Sequence, residues 1–221
     1  MLATFTNRLG GFSQGVYSSL NLGDHVGDAP SDILRNRELL RKEYGPVQFM
    51  NQVHGNRIAI IESVADEQPT ADALITGIPG TTLAVMVADC IPLLLTSREV
   101  VAAVHVGRRG LVNQVAIETL KLMREMGAHD ISATIGPAIC GSCYEVSENI
   151  FQEVTSQFPL ADSRTNSGSL ALDLPKALHG ALKSAGVVEI SYQGNCTVED
   201  GNLFSYRRDG VTGRQAGLVS L

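Results

Sequence analysis

The chain has 221 residues, 44% of them hydrophobic and 18% charged, which suits one large domain or two small ones. Seventeen Lys and Arg residues against 23 Asp and Glu residues give a net charge of −6, which disfavours nucleic acid as a partner. No apolar run approaches the roughly 18 residues of a membrane span. The N-terminal sequence also lacks the charged-then-apolar pattern of a signal peptide. We therefore expect a cytoplasmic protein that does not bind membranes.

Hydrophobic periodicity and turn signals predict alternating strands and helices. In the first half of the chain we expect a strand at 2–6, a helix at 28–44 capped by Asp28, a hairpin of strands at 47–53 and 57–62, and buried strands at 83–88 and 100–106. In the second half we expect a helix at 111–126, a strand at 131–135, a helix at 147–157, a surface loop at 160–169, a helix capped by Asp173, and strands at 187–192 and 216–221. No linker or repeat divides these elements, so the sequence predicts a single mixed α/β, or α+β, domain over residues 1–221.

Three potential metal ligands lie at the ends of predicted strands. His54 is at the tip of the predicted hairpin, Cys90 directly follows one buried strand, and His105 lies at the end of the next. Side chains at strand ends project from a rigid scaffold into a crevice, where ligand sites usually form. Two imidazoles and one thiolate suit zinc, and three protein ligands leave one coordination position for water or substrate. If these residues bind a metal, the arrangement is that of a catalytic site, with zinc as the first choice and copper as the second.

The same residues are also compatible with a structure that has no metal. Cysteine in an apolar stretch is often an inert buried thiol, and a histidine flanked by valines can be satisfied within a core. The spacing of His54, Cys90 and His105 along the chain matches no local zinc motif. Asp89 interrupts the apolar run beside Cys90, so its carboxylate must be paired, orient a metal ligand, or cap the turn before Pro92.

The other cysteines are Cys140, Cys143 and Cys196. A cytosolic chain of this size does not need disulfides, so all four cysteines are predicted to be thiols or thiolates. Cys140 and Cys143 form a C-x-x-C pair, but no second pair completes a zinc ribbon. This isolated pair therefore favours a simple interpretation, in which the two cysteines are small thiols in a turn.

Arginines gather in three short segments, 107–110, 205–208 and 212–214. An arginine fork binds phosphate or carboxylate through two parallel hydrogen bonds. The first segment also precedes a predicted helix N-terminus, which favours anions further. Surface ion pairs with nearby carboxylates would explain the same arginines equally well.

Seven segments together resemble the YfiH-like family, also called the laccase-domain or multicopper polyphenol oxidase family and the YfiH type of purine nucleoside phosphorylase. These segments are LNLGDHVGD (20–28), NQVHG (51–55), ADALIT (71–76), ADCIPLLL (88–95), AAVHVGRRGL (102–111), IGPAICGSCYEV (135–146) and FSYRRDGVTGRQAGLVSL (204–221). The resemblance runs nearly end to end. It implies a single domain of layered mixed β-sheets flanked by helices. It also implies that His54, Cys90 and His105 are the metal ligands and catalytic residues.

The resemblance further implies phosphorolysis of adenosine, inosine and methylthioadenosine, with phosphate as the second substrate, and deamination of adenosine. Bacterial relatives are also described as peptidoglycan editing factors. Arg109 matches the family's arginine and is expected to contact substrate or phosphate, with Arg207 and Arg208 as further candidates. Where the family usually has tryptophan this chain has Arg108, a change that bears on stacking beside the metal. We expect a monomer or a small homo-oligomer.

Two other functions are compatible with the same residues. Cys90 activated by His105 would make a nucleophile for an amidase acting on peptidoglycan precursors. Two histidines and one cysteine can instead form a copper site of a polyphenol oxidase, with a weak axial ligand such as Met86. The chain has five histidines, which are too few for a multi-copper cluster in addition to this site.

Overall fold

The computed structural model describes all 221 residues, which form six α-helices and twelve β-strands. The helices are α1 (Pro30–Tyr44), α2 (Arg108–Val112), α3 (Val115–Glu125), α4 (Glu148–Gln157), α5 (Leu174–Ser184) and α6 (Tyr206–Asp209). The strands are β1 (Leu2–Phe5), β2 (Val47–Gln48), β3 (Ile58–Ile60), β4 (Ala73–Thr76), β5 (Thr82–Val87), β6 (Ile91–Thr96), β7 (Val101–Val106), β8 (Ser132–Ile135), β9 (Asp162–Arg164), β10 (Leu170–Leu172), β11 (Ile190–Tyr192) and β12 (Gln215–Ser220). None of the helices combines the length and hydropathy needed to cross a membrane.

Two mixed sheets contain most of the strands. The six-stranded sheet has the order β11-β8-β6-β7-β4-β3, and the four-stranded sheet has the order β1-β12-β5-β2. Antiparallel pairs join the central strands of both sheets, whereas the edge strands β2, β3 and β11 pair in parallel. Strands β9 and β10 form a separate antiparallel hairpin. This mixture of pairings with six helices confirms the predicted α+β class.

The two sheets pack face to face, with helices on both outer sides. Leu94 of β6 lies in the apolar layer between the sheets, together with Leu83 and Val85 of β5. Its neighbours Leu93 and Leu95 belong instead to the layer that β6 shares with α3 and α5. Helix α1 packs on the outer face of the smaller sheet. Strands β5, β6 and β7 are buried on both faces and are largely apolar, and their ends form a rigid base for the loops above them.

The prediction of a hairpin at 47–62 is wrong. Strand β2 pairs with β5 in the smaller sheet, and β3 pairs with β4 in the larger one, in parallel in both cases. The connecting loop instead folds around the carboxylate of Asp72, which accepts hydrogen bonds from the N–H groups of Val53, His54 and Gly55. These bonds to a buried charged acceptor outweigh the local preference for a hairpin turn.

The predicted helix at 111–126 is two helices. Helix α2 begins three residues earlier, at Arg108, and Gln114 separates it from α3 with a left-handed backbone (φ 59°). This turn in the chain lets Leu111 and Val115 both reach the core between the larger sheet and the helices. The predicted loop at 160–169 also contains a strand, β9, because β10 supplies it with a hydrogen-bonding partner.

The two predicted helix caps have different outcomes. Asp173 caps α5 as predicted, accepting a hydrogen bond from the N–H of Lys176 at 2.9 Å. Asp28 does not occupy the N-cap position of α1, which belongs to Ala29. The Asp28 carboxylate is engaged by Ser13 and by the side-chain amide of Asn21, so it braces the preceding loop instead.

Candidate metal centre

His54, Cys90 and His105 converge at one end of the larger sheet. His54 lies in the loop between β2 and β3, Cys90 in the tight turn between β5 and β6, and His105 in β7 opposite Pro92. The ligating atoms of the three side chains all lie within 4.8 Å of one another. The Nε2 atom of His54 is 3.8 Å from Sγ of Cys90, and the two imidazole rings meet edge-on with centroids 4.6 Å apart. Three donors from distant parts of the chain therefore face a common point.

The buried residue Asp72 positions two of these side chains. No sequence motif pointed to it. The carboxylate of Asp72 accepts a hydrogen bond from Nδ1 of His105 at 2.8 Å, and others from the N–H groups of His54 and Gly55 at 2.9 and 2.7 Å. Because a carboxylate only accepts, Nδ1 carries a proton, and Nε2 is the nitrogen of His105 that can bind a metal once any proton on it is displaced. The available signal was an acid inside the apolar segment 71–76, where burial demands hydrogen-bond partners.

Electrostatic interactions in the cluster favour a thiolate beside an imidazolium. Burial raises the pKa of the Cys90 thiol, but the charge of His105 and hydrogen bonds from both histidines outweigh it and lower the pKa to about 6. Burial lowers the pKa of His105, but the charge of Cys90 and the hydrogen bond to Asp72 outweigh it and raise the pKa to about 9. At neutral pH the metal-free site therefore holds a thiolate, the form in which cysteine binds metals.

Two non-glycine residues in this region have a left-handed backbone, His54 (φ 59°) and Asp89 (φ 88°). Such conformations cost roughly 1–3 kcal/mol each and persist only where surrounding contacts hold them. The Asp89 carboxylate accepts hydrogen bonds from the hydroxyls of Thr197 and Ser205, at 2.6 and 2.7 Å, and from the N–H of Arg207 at 2.7 Å. Asp89 thus binds the segment 197–207 rather than orienting a metal ligand.

A cavity of about 460 Å³ opens onto the three side chains, a volume typical of small-molecule sites. Tyr144, Tyr206, Arg207 and Arg214 line its walls. The guanidinium of Arg207 lies over the ring of Tyr144, 5.2 Å from its centroid.

The Arg214 side chain donates only to backbone carbonyls and has no carboxylate partner. Burial lowers the pKa of Arg214, and the charges of Cys90 and Asp89 oppose that shift. The cavity therefore offers aromatic surface and positive charge beside the metal ligands.

The predicted substrate arginines occupy different places. Arg207 lines the cavity, whereas the guanidinium of Arg208 is held by carbonyls of the preceding loop and by its neighbouring aspartate. Arg109 is exposed in α2 and is not among the residues that line the cavity. Arg108 points to α4, where it forms a 2.9 Å ion pair with Glu153. Aromatic surface next to the metal ligands is therefore supplied by tyrosines from other segments.

The sequence matches, over residues 2–221, the family described as multi-copper polyphenol oxidoreductase laccase. The chain belongs to this family. The resemblance to YfiH-like proteins is confirmed by the crystal structure of the Bacillus licheniformis hypothetical protein YfiH, which superposes with a TM-score of 0.89 at 28% identity, covering 99% of this chain and 92% of that one. The Neisseria meningitidis protein NMB0706 superposes with a TM-score of 0.89 at 38% identity, covering 99% and 93% of the two chains. A purine nucleoside phosphorylase of Corynebacterium glutamicum is 44% identical, covering 98% of this chain and 93% of that protein.

The donor atoms of this YfiH-like protein fit a four-coordinate metal ion. Tetrahedral zinc with bonds of about 2.3 Å to sulfur and 2.0–2.1 Å to nitrogen places those two donors about 3.6 Å apart. The observed 3.8 Å between Sγ of Cys90 and Nε2 of His54 is close to this value. Small shifts of side chains would bring His105 into the same sphere, and the cavity leaves the fourth position accessible.

Gly107 keeps space open beside these ligands in the YfiH-like protein. A methyl group there would lie 2.9 Å from Sγ of Cys90 and 3.2 Å from the His54 ring. Its backbone is extended (φ −84°), so alanine suits the backbone but crowds the ligands. We expect Gly107→Ala to weaken zinc binding about tenfold or more, because coordination tolerates deviations of only about 0.2 Å. Calorimetric zinc titration of the folded variant measures this effect.

A glycine in open surroundings provides the matched control for that variant. A methyl group at Gly201 would meet nothing within 4 Å, so Gly201→Ala should bind zinc as the unmodified protein does. Equal affinities for Gly107→Ala and Gly201→Ala would show that the space beside Cys90 does not matter for metal binding.

Proposed function

We propose that this YfiH-like protein is a metal-dependent purine nucleoside phosphorylase that acts on adenosine, inosine and methylthioadenosine, and that it also deaminates adenosine. The proposal rests on two imidazoles and one thiolate that converge on one wall of a cavity lined with tyrosines and arginines. The name of the Corynebacterium relative supports the phosphorolysis. Residues 1–221 act as one catalytic domain, in the cytoplasm, as a monomer or small homo-oligomer.

Zinc is the ion that we propose for His54, Cys90 and His105, because nitrogen and sulfur donors with one open position suit a catalytic zinc site. Copper is the alternative, since the family description names it. A blue-copper site would need a weak axial ligand such as Met86. In the structure the Met86 sulfur already contacts another group, because Nη2 of Arg37 donates a hydrogen bond to it at 3.7 Å. Elemental analysis of protein produced with both metals available decides the matter: stoichiometric zinc supports the assignment, and stoichiometric copper overturns it.

In phosphorolysis a phosphate oxygen attacks the anomeric carbon of the ribose, the glycosidic C–N bond breaks, and the purine leaves with the bonding electrons. Arg207 and Arg214 bind the phosphate, and Tyr144 and Tyr206 hold the purine by stacking. Asp89 keeps Arg207 at the cavity wall through its backbone N–H. When bound, the metal supplies positive charge that stabilises negative charge in the transition state. The residues of the chain thereby align the two reactants, which lowers the entropic part of the barrier.

Product analysis by mass spectrometry tests this function. Each of the three nucleosides is incubated with metal-loaded protein, with and without phosphate, beside Cys90→Ala. Phosphorolysis yields free base and a sugar 1-phosphate only when phosphate is present: ribose 1-phosphate from adenosine and inosine, and 5-methylthioribose 1-phosphate from methylthioadenosine. Deamination yields inosine from adenosine in both buffers. Conversion of none of the nucleosides by the metal-loaded protein would overturn the proposal.

Arg207 gives this function a specific kinetic prediction. Arg207→Gln removes a charge from the cavity wall but keeps the backbone N–H that Asp89 binds. We expect the KM for phosphate to rise about tenfold or more, since one hydrogen bond to a charged group contributes about 1.5–3 kcal/mol. Arg98→Gln, a change to an exposed arginine elsewhere, should leave this KM unaltered. Equal KM values for the two variants would remove Arg207 from the phosphate site.

A cysteine-dependent amidase is a second candidate, favoured by the thiolate that the histidines stabilise. In the metal-free protein we expect alkylation of Cys90 by iodoacetamide to reach half its maximal rate near pH 6, the lowered pKa of that thiol, and to slow as pH falls below it. Zinc should block the labelling, as followed by mass spectrometry of the Cys90 peptide. An acyl adduct on Cys90 after exposure to a peptidoglycan fragment would favour the amidase instead.

A further inference from the structure

A second group of potential metal ligands is formed by Cys140, Cys143 and Cys196. Their Sγ atoms all lie within 4.8 Å of one another, and none is in a disulfide. Cys140 and Cys143 belong to one turn after β8, closed by a 3.1 Å hydrogen bond from the N–H of Cys143 to the carbonyl of Cys140. Cys196 comes from the loop between β11 and α6. Two turns that are distant in sequence thus bring three sulfur atoms together.

The geometry of the three thiols suits a tetrahedral thiolate site. Bonds of about 2.3 Å to zinc place sulfur atoms about 3.8 Å apart, so the thiols need to approach one another by no more than about 1 Å. The N–H of Cys140 already points at Sγ of Cys196, at 3.4 Å, a contact that stabilises a thiolate. The carboxylate of Glu199 lies 3.7 Å from Sγ of Cys143 and offers an oxygen as a fourth ligand.

We infer that Cys140, Cys143 and Cys196 bind a second metal ion, a zinc ion held by three thiolates with Glu199 as the nearest fourth donor. Three thiols cannot all be paired in disulfides, so oxidation would leave one unpaired. Metal binding uses all three and releases their protons.

The position of this cluster gives the second ion a structural role. The N–H of Ile139, next to Cys140, donates to the carbonyl of Asp89 at 3.0 Å, and Ile139 lines the cavity. The hydroxyl of Thr197, next to Cys196, donates to the carboxylate of the same aspartate. An ion that joins the two cysteine turns therefore fastens both segments around Asp89 and stabilises the part of the cavity wall that Ile139 forms.

Cobalt(II) titration of the reduced, metal-free full chain tests the inference without using enzymatic activity. Sulfur-to-cobalt charge-transfer absorption grows with the number of thiolates bound, so three thiolates are distinguishable from one. The unmodified protein should bind two equivalents. Cys90→Ala should bind one equivalent and keep most of the charge-transfer absorption, whereas Cys196→Ser should bind one equivalent and lose most of it.

Two results would overturn the inference. One is saturation of the unmodified protein at a single equivalent, together with no cobalt bound by Cys90→Ala. The other is a disulfide between any two of Cys140, Cys143 and Cys196 in protein purified without oxygen, mapped by mass spectrometry under non-reducing conditions. If Cys196→Ser does not fold, the unmodified protein and Cys90→Ala still decide the outcome.

Discussion

Replacement of His54 by asparagine is expected to lower kcat/KM for inosine phosphorolysis by about 10³-fold or more. A catalytic metal supplies several kcal/mol of charge stabilisation, and each 1.4 kcal/mol changes the rate tenfold. Loss of one of three protein ligands should remove most of this contribution. Asparagine is chosen because it tolerates the left-handed backbone that His54 adopts (φ 59°), so the loop should keep its shape. Steady-state kinetics with parallel zinc analysis measure the effect.

His129→Asn is the matched control for that variant, because its imidazole is exposed and lies outside the candidate metal centre. We expect it to retain full activity and one ion at the His54 site. If His54→Asn loses its metal but keeps more than about a tenth of the activity, the reaction does not depend on the ion.

Replacement of Asp72 is expected to have the largest effect on stability in the metal-free protein. The carboxylate is fully buried and accepts hydrogen bonds from His105 and from three consecutive N–H groups. Asp72→Ala leaves these donors without an acceptor, so we expect the free energy of unfolding to fall by about 3–5 kcal/mol. Urea denaturation of the metal-free variants measures this loss.

A milder substitution at the same position separates stability from metal binding. Asp72→Asn keeps the shape but loses the charge that holds the proton on Nδ1 of His105, so zinc affinity should fall about 10–100-fold. Asp66→Asn changes an exposed carboxylate and should alter neither property. Unchanged zinc affinity in a folded Asp72→Asn variant would mean that the His105 tautomer is set by something else.

Local patterns in the sequence were enough to predict the elements that are most apolar or best capped. The runs in β5 and β7 marked buried strands, and Asp173 marked the start of α5. Strand β5 ends shortly before Cys90, and β7 contains His105. Two of the three candidate metal ligands could therefore be assigned to strand ends. This reasoning works because burial on both faces leaves a strong, short-range signal.

Features that depend on distant partners could not be read locally. Strand β2 pairs with β5 and strand β3 pairs with β4, and only the tertiary structure shows these partners. The role of Asp72 depends on hydrogen bonds to residues far along the chain. The proximity of Cys196 to the C-x-x-C turn has the same origin, since a single sequence does not show which loops meet.

The register between β1 and β12 has a kinetic consequence. Leu2 lies opposite Ser220, and β12 then separates β1 from β5, so the smaller sheet is complete only when positions at opposite ends of the described chain have met. Bringing β1 and β12 together closes a loop of nearly the whole described chain, which costs conformational entropy before the contacts between the two strands can offset it. Topologies of this kind fold slowly. Arg214 directly precedes β12, so the cavity is expected to take its final form among the last events of folding.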